Sequence, residues 1–164
     1  MDEEGASTLY RSDFRGGLRV FLQVKDFKVL VGDHRLVLEL LRQVAPNVTR
    51  VAVIRDSSPG GFAEFGAIQN AAPSLRMEVV PVNADDPGDI ERGIVAFSRQ
   101  PNGGAVVTGT SATIRYRAPI IALAARHRLP TVYPLRLFVA EGGLVSHGAA
   151  AGDLYRRSAG YEAS

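Results

Sequence analysis

The sequence predicts an α/β protein: a three-layer α/β/α lobe of the Rossmann-like, or flavodoxin-like, type with a mainly parallel sheet. From residue 33 onward, short apolar runs typical of buried strands alternate with stretches of helical periodicity. The segment 124–148 repeats this alternation as the end of a helix, a strand, a second helix and a second strand. Such βαβ units have right-handed crossovers, which produce a parallel sheet with helices on both faces.

The chain has the length of one domain, 164 residues, and we expect two parts in it. Residues 1–32 are predicted to form an irregular N-terminal extension, and residues 33–164 the α/β lobe. The extension contains two short apolar runs, LRVFLQV and FKVLV, which are compatible with strands or with a loosely attached hairpin.

The lobe is predicted to begin with a helix, a strand, a helix and a strand. Asp33 is suited to cap the first helix, which Pro46 ends and whose apolar residues recur at helical spacing: Leu36, Leu40, Leu41 and Val44. The run Arg50–Arg55 predicts a buried strand. A second helix is expected over 61–71 and a second strand over 77–82, the helix having an inward stripe of Phe62, Phe65 and Ile68.

The second half of the lobe opens with a strong helix-start signal. Asp86 is a good N-cap, Pro87 suits the first helical position and Asp89 places an acid near the third. Three apolar residues of this helix are expected to face inward: Ile90, Ile94 and Phe97. A strand over 105–108 and a helix over 118–127 follow. Because proline is tolerated only in a first turn, Pro119 makes residues 112–117 irregular or a separate turn.

Composition excludes several classes of protein. The formal charge is only +2 and the arginines are scattered among acidic residues, so we expect no nucleic-acid partner. The absence of cysteine excludes disulfides and thiolate chemistry. No apolar run reaches the ~20 residues of a transmembrane helix. The acidic, glycine-rich start lacks the features of a signal peptide.

The sequence contains no complete motif for catalysis, a cofactor or a metal. Gly61 and Gly66 have phosphate-loop spacing, but the Lys-Ser/Thr pair that should follow is missing. Ser146 lacks the glycine two residues upstream that a nucleophile elbow needs. Asp56 ends a strand, as the phosphorylated aspartate of a receiver domain does, but no lysine follows it in the chain. The three histidines have no metal-binding spacing, and we predict no catalytic residue, no metal and no cofactor.

Polar residues cluster where the predicted strands end. The carboxyl ends of parallel strands meet at one edge of a sheet, and α/β domains hold ligands at that edge. Hydroxyls, amides, one carboxylate and one aromatic ring, together with helix N-termini that favour anionic groups, suit the binding of a small polar or amino-acid-like ligand. The predicted ligand-binding residues are Asp56, Ser57, Ser58, Asn83, Thr108, Gly109, Thr110, Ser111, Tyr133 and Ser146.

Several sequence blocks occur in an order that resembles a known family. The blocks are LELLRQVAPNVTRVAVIRD, PNGGAVVT, ALAARHRLPTVYP and DLYRRSAGY, and the region they delimit covers about three quarters of the chain. It is similar to ABC transporter substrate-binding proteins related to tryptophan and aromatic amino-acid importers. Members of that family have the type 1 periplasmic binding fold, in which two Rossmann-like lobes close on a solute. The resemblance covers the second lobe only.

The resemblance implies a solute-binding component, or a truncated single lobe, of an ABC-type import system and not an enzyme. It implies a small-molecule solute and an ABC permease as partners, and a homodimer would supply the missing wall of the cleft. It also implies a periplasmic location; the chain would be cytoplasmic if it is complete as given, since it shows no signal peptide. The alternative is a flavodoxin-like regulatory or protein-interaction domain that has lost transport, with an enzyme third.

Overall fold

A computed structural model describes residues 6–11, 20–25 and 34–147. The described strands are β1 Ala6–Arg11, β2 Val20–Lys25, β3 Arg50–Arg55, β4 Glu78–Asn83, β5 Gly103–Val107, β6 Thr131–Tyr133 and β7 Val145–Ser146. The described helices are α1 His34–Val44, α2 Pro59–Ala71, α3 Pro87–Phe97, α4 Ser111–Arg115, α5 Arg117–Arg126 and α6 Arg136–Ala140. A 3-10 turn, Ala72–Leu75, follows α2.

The strands form one sheet in the order β2-β1-β7-β6-β5-β3-β4. The five strands from β7 to β4 are parallel, and β1 and β2 add an antiparallel hairpin beside β7. Counted along the chain, the parallel strands have the 2-1-3-4-5 order of flavodoxin-like folds. The predicted α/β fold with a mainly parallel sheet is confirmed.

Side chains alternate between the two faces of each strand, and this alternation creates two apolar cores. Along β3, Val51 and Val53 join the core covered by α1 and α2. Ala52 and Ile54 join the core covered by α3, α5 and α6. All four residues are fully buried, as expected for a central parallel strand with helices on both sides. The lobe therefore has three layers.

The predicted helix starts are largely confirmed. Asp86 caps α3, accepting the N–H of Asp89 at 2.9 Å, and Pro87 opens that helix. Helix α2 begins at Pro59, two residues earlier than predicted, because Ser58 is its N-cap. Residues 111–115 form the short separate helix α4, and α5 then places Pro119 in its first turn.

Two predicted helix faces need correction. Phe62 is 51% exposed instead of facing the core, because its ring lies under the guanidinium of Arg55, 4.6 Å from the ring centroid. In α1, the predicted Leu40 and Leu41 are buried, but Leu36 and Val44 are only half-buried. Val37 and Leu38 complete the buried face instead.

Some predictions concern residues that the structure does not describe. The cap at Asp33, the run FKVLV and the block DLYRRSAGY lie outside the described residues. The division of the chain at residue 32 stays a prediction. Within residues 6–11, 20–25 and 34–147, no helix is both long enough and apolar enough to span a membrane.

Candidate functional site

The strand order reverses between β3 and β5. After β3 the chain crosses to α2 on one face of the sheet, and after β5 it continues to α4 and α5, with α5 on the other face. Loops that diverge in this way leave a crevice at the carboxyl edge of the sheet, where open α/β sheets bind ligands. Residues 56–58 and 109–111 border this switch-point crevice and include six of the ten predicted ligand-binding residues.

Asp56 is the buried carboxylate of the switch-point crevice, with only 6% of its surface exposed. Its Oδ1 accepts the backbone N–H of Ser58 at 3.2 Å and the Ser58 hydroxyl at 2.5 Å. Burial raises the pKa of Asp56, but hydrogen bonds from Ser58 and Thr110 outweigh it and hold the pKa below its usual value. Asp56 is therefore ionised at neutral pH, and no lysine or arginine of the described residues forms an ion pair with it.

Ser58 connects Asp56 to the first turn of α2. Its hydroxyl donates to Asp56 and accepts the N–H of Gly61 at 3.1 Å. A Cβ atom on Gly61 would lie 2.4 Å from both the backbone carbonyl oxygen and the Oδ1 atom of Asp56. Only glycine fits there, so the start of α2 is built around this carboxylate.

The loop after β5 forms the other wall of the crevice. The hydroxyl of the buried Thr113 donates to the carbonyl of Thr108 at 2.5 Å and accepts the N–H of Thr110 at 3.2 Å. The N–H of Gly109 points at the carboxylate of Glu64, 3.3 and 3.4 Å from its two oxygens. Ser111 is exposed at the start of α4. The loop thus lies between two carboxylates, Asp56 and Glu64.

Glu64 and two histidines belong to this region, although the sequence did not identify them as ligand-binding residues. Burial raises the pKa of Glu64, while the N–H of Gly109 and the nearby His34 act in the opposite direction. Burial, aided by His34, lowers the pKa of His147 to about 4. These residues come from α1, α2 and the end of β7. Their proximity follows from the strand order, which no local sequence pattern reveals.

A second hydrogen-bonded carboxylate fixes the loop after β4 to the loop after β3. Asp85 accepts the N–H of Ser57 at 2.9 Å and the Ser57 hydroxyl at 2.5 Å. These hydrogen bonds lower the pKa of Asp85. The side-chain oxygen of Asn83 accepts the N–H of Asp85 at 3.0 Å. Ser57 and Asn83 are exposed and border the crevice on its β4 side.

Three predicted ligand-binding residues lie in the interior of the lobe. Thr108 is fully buried and donates its hydroxyl to the carbonyl of Ile54 at 3.0 Å. Tyr133 is 1% exposed and stacks on Phe138 with 5.2 Å between ring centroids. Ser146 is fully buried, and its Oγ has no hydrogen-bond partner among the described residues. We expect these three side chains to support the crevice from below rather than contact a solute.

The charge of the crevice favours a cationic group. Asp56, through Ser58, and Asp86 already occupy the N-termini of α2 and α3, where an anionic ligand would otherwise bind. Glu64 and Asp85 add carboxylates on both sides of Asp56. Across the described ranges, no group of three or more His, Asp or Glu side chains is arranged to hold a metal ion. Ionised carboxylates form charge-assisted hydrogen bonds with cationic groups such as ammonium.

Neither a protein-family model nor a curated protein sequence matches this chain. Its fold, however, is similar to that of solved structures of solute-binding proteins. One is an ABC domain in complex with L-Trp from Streptococcus pneumonia, with a TM-score of 0.62 and 15% sequence identity over 70% of this chain. Another is a substrate-binding protein with adhesive properties from Clostridium difficile, in its ligand-free, open form, with a TM-score of 0.58 and 18% identity over 65% of this chain.

A third similar structure is a conserved domain protein from Vibrio cholerae, with a TM-score of 0.60 and 16% identity over 69% of this chain. In all three comparisons the chain spans well under half of the other protein: 40%, 36% and 38% of the Streptococcus, Clostridium and Vibrio chains, respectively. At these identities the likeness concerns the fold alone.

Proposed function

We propose that this chain is a solute-binding lobe of an ABC-type import system and that it binds an amino-acid-like solute in the switch-point crevice. The proposal rests on the environment of Asp56. It is a buried, ionised carboxylate at the topological switch point, and no cationic side chain of the described residues pairs with it. Buried charges are normally paired, and the ammonium group of an amino acid would supply the missing positive charge.

The structural comparisons support this function. The Streptococcus protein was crystallised with L-Trp, and the Clostridium protein is a substrate-binding protein. Because this chain spans 36–40% of those chains, we propose that it corresponds to a single lobe. A single lobe offers one wall of a cleft, so its affinity for a free solute is expected to be low. A second copy in a homodimer would supply the other wall.

The proposed role includes an ABC permease as partner and a periplasmic location. The chain is proposed to present its solute and not to transform it. The carboxylates of the crevice accept hydrogen bonds from donors of their own chain: the hydroxyls of Ser57 and Ser58 and the N–H of Gly109. Such fixed donors and acceptors suit recognition.

A ligand panel tests the proposed solute class. L-tryptophan, L-leucine, a sugar and a nucleotide are each titrated by NMR and by thermal unfolding, together with indole-3-propionate, which is tryptophan without its ammonium group. We expect saturable binding of amino acids and none of indole-3-propionate. If every compound fails to bind, solute binding by this lobe is excluded and the flavodoxin-like regulatory or interaction domain becomes the better interpretation.

A pair of isosteric variants tests the role of Asp56. Asp56→Asn removes the charge facing the crevice, whereas Asp86→Asn removes an equivalent charge but keeps an N-cap on α3. The loss of one charge-assisted hydrogen bond should weaken amino-acid binding about tenfold or more in Asp56→Asn. Asp86→Asn should bind within about twofold of the parent protein. Equal weakening in both variants would show that only the overall charge matters and would contradict the assignment.

A further inference from the structure

The opposite edge of the sheet contains a cavity, far from the switch-point crevice. The loops that enter β4, β3 and β5 lie side by side there, because these three strands are neighbours and parallel. Together with the last turn of α1 they border an open cavity of about 650 Å³. We call it the amino-edge pocket; its polar lining residues are Arg42, Asn47, Thr49, Ser74, Arg76 and Asn102.

The lining of the amino-edge pocket is positively charged. Arg42 and Arg76 both face it, and neither forms an ion pair with a carboxylate in the described part of the chain. No acidic residue lines it, and Glu78, the nearest acidic residue along the chain, is exposed outside the lining. The other polar lining groups are neutral amides and hydroxyls. Two guanidinium groups among neutral donors form the type of site that binds oxyanions.

The backbone holds this arrangement in place. Arg42 donates through Nη2 to the carbonyl of Leu75, which fixes its half-buried guanidinium against the turn that leads into β4. Arg76 has a left-handed backbone, with φ 56° and ψ 41°. Asn102 is also left-handed, at φ 62°, and its carbonyl accepts the N–H of Thr49 at 3.0 Å and that of Arg50 at 3.2 Å. The left-handed conformation of Arg76 caps the 3-10 turn Ala72–Leu75, and the cap fixes the backbone from which its side chain extends.

From this arrangement we infer that the amino-edge pocket is a second binding site, which takes the phosphate or carboxylate group of a small anionic molecule. The planar guanidinium fork matches the paired oxygens of either group. The site is independent of the proposed solute site, because the two lie at opposite edges of the sheet. Binding at one can therefore be lost while binding at the other remains.

Two variants with the same backbone geometry and the same charge change provide the test. Arg76→Gly removes a guanidinium from the pocket, and glycine accepts the left-handed backbone at that position. Arg128→Gly is the matched control. Arg128 is also left-handed, at φ 50°, and exposed, but it does not line the pocket. Thermal unfolding without added anion verifies that both variants fold.

The probes are inorganic phosphate and acetate, titrated into the full chain at constant ionic strength and followed by ¹H–¹⁵N NMR. We expect saturable shifts for at least one probe in residues 47–49, 74–76 and 102, and the probe that binds identifies the anion class. Arg76→Gly should weaken that binding about tenfold, and Arg128→Gly should leave it within about twofold. Non-saturating shifts with both probes, or equal weakening in the two variants, would overturn the inference.

Discussion

At the carboxyl edge of the sheet, Asp56, Glu64 and Asp85 accept hydrogen bonds from backbone and hydroxyl groups of their own chain. At the amino edge, Arg42 and Arg76 face a cavity without any carboxylate in its lining. The two groups of residues therefore differ in charge: carboxylates border the switch-point crevice, and guanidinium groups line the amino-edge pocket. If both proposed sites bind, their opposite charges mean that they do not compete for the same ligand.

The two edges also differ in how closely they are packed. The backbone at the carboxyl edge is arranged around a carboxylate, with no space for a Cβ atom on Gly61. The amino edge leaves an open cavity and contains two non-glycine residues in left-handed conformations, Arg76 and Asn102. We therefore expect added volume and protonation at the carboxyl edge to change the stability of the fold. At the amino edge, we expect the loss of a charge to change anion binding.

The largest expected effect comes from adding one methyl group at the carboxyl edge. In Gly61→Ala, the new Cβ would lie 2.4 Å from Asp56 Oδ1, so either the helix start or the carboxylate must move. Such overpacking should lower the free energy of unfolding by about 3 kcal/mol. Urea denaturation followed by circular dichroism measures it, and amino-acid binding should be lost as well.

The control for this variant lies in the same helix. A Cβ on Gly66 meets nothing within 4 Å, so Gly66→Ala should raise the free energy of unfolding by about 0.5 to 1 kcal/mol through helix propensity alone. Phosphate binding at the amino-edge pocket should be unchanged in both variants. If Gly61→Ala unfolds at the same urea concentration as the parent protein, the close packing around Asp56 is refuted.

The next effect is a pH dependence confined to the carboxyl edge. His147 has a folded-state pKa of about 4, below its ordinary value of 6.5, so the unfolded chain binds its proton more readily. Its contribution to stability is complete above pH 6.5 and is lost as the pH falls towards 4, by up to about 3 kcal/mol. Arginines do not titrate in this range, so the charge of the amino-edge pocket stays constant.

Unfolding by urea at several pH values between 4 and 7 measures this loss. His147→Gln should flatten the profile, whereas His127→Gln, at the end of α5, should retain it. Glu64 acts in the opposite direction, since its raised pKa lowers stability as the pH rises through and above its ordinary range near 4.5. The difference in the pH dependence of unfolding between His147→Gln and the parent protein gives the contribution of His147 alone. Parallel profiles for these two proteins would contradict the assignment.

The sequence predicted the parts of the fold that depend on local patterns. Arg50–Arg55 reads as a buried strand because its apolar run is continuous, and Asp86 with Pro87 marks a helix start because capping chemistry is local. Phe62 was predicted wrongly because helical periodicity alone cannot show that the Arg55 guanidinium stacks on its ring. Local patterns thus decide which elements form, and long-range contacts decide which face of a helix is covered.

The sites were less predictable than the fold. Asp56 and the loop after β5 follow from the rule that parallel strands end at one edge. Glu64 lies on α2, the helix that directly follows Asp56, but it meets the N–H of Gly109 only because β5 is the neighbour of β3. The amino-edge pocket draws on α1 and three separate loops, and no spacing in the sequence connects them. Polar residues at strand ends are predictable; which of their side chains are exposed is not.

The smallest expected effect distinguishes two fully buried hydroxyl groups below the crevice. Thr108 donates to the carbonyl of Ile54, so Thr108→Val, which keeps the side-chain shape, should lower the free energy of unfolding by about 1 kcal/mol. The Ser146 hydroxyl has no partner among the described residues, and Ser146→Ala removes a buried polar group that makes no hydrogen bond. That variant should be neutral or more stable by up to about 1 kcal/mol.

Both variants are measured by urea denaturation, and both should bind phosphate at the amino edge like the parent protein. Changes of opposite sign in the free energy of unfolding would show that the Thr108 hydroxyl is hydrogen-bonded and the Ser146 hydroxyl is not. Equal destabilisation would mean that the Ser146 hydroxyl is hydrogen-bonded in solution, which would contradict its unpartnered state. A loss of amino-acid binding in Ser146→Ala without loss of stability would place this hydroxyl in contact with the solute, because a purely supporting group acts on binding only through the fold.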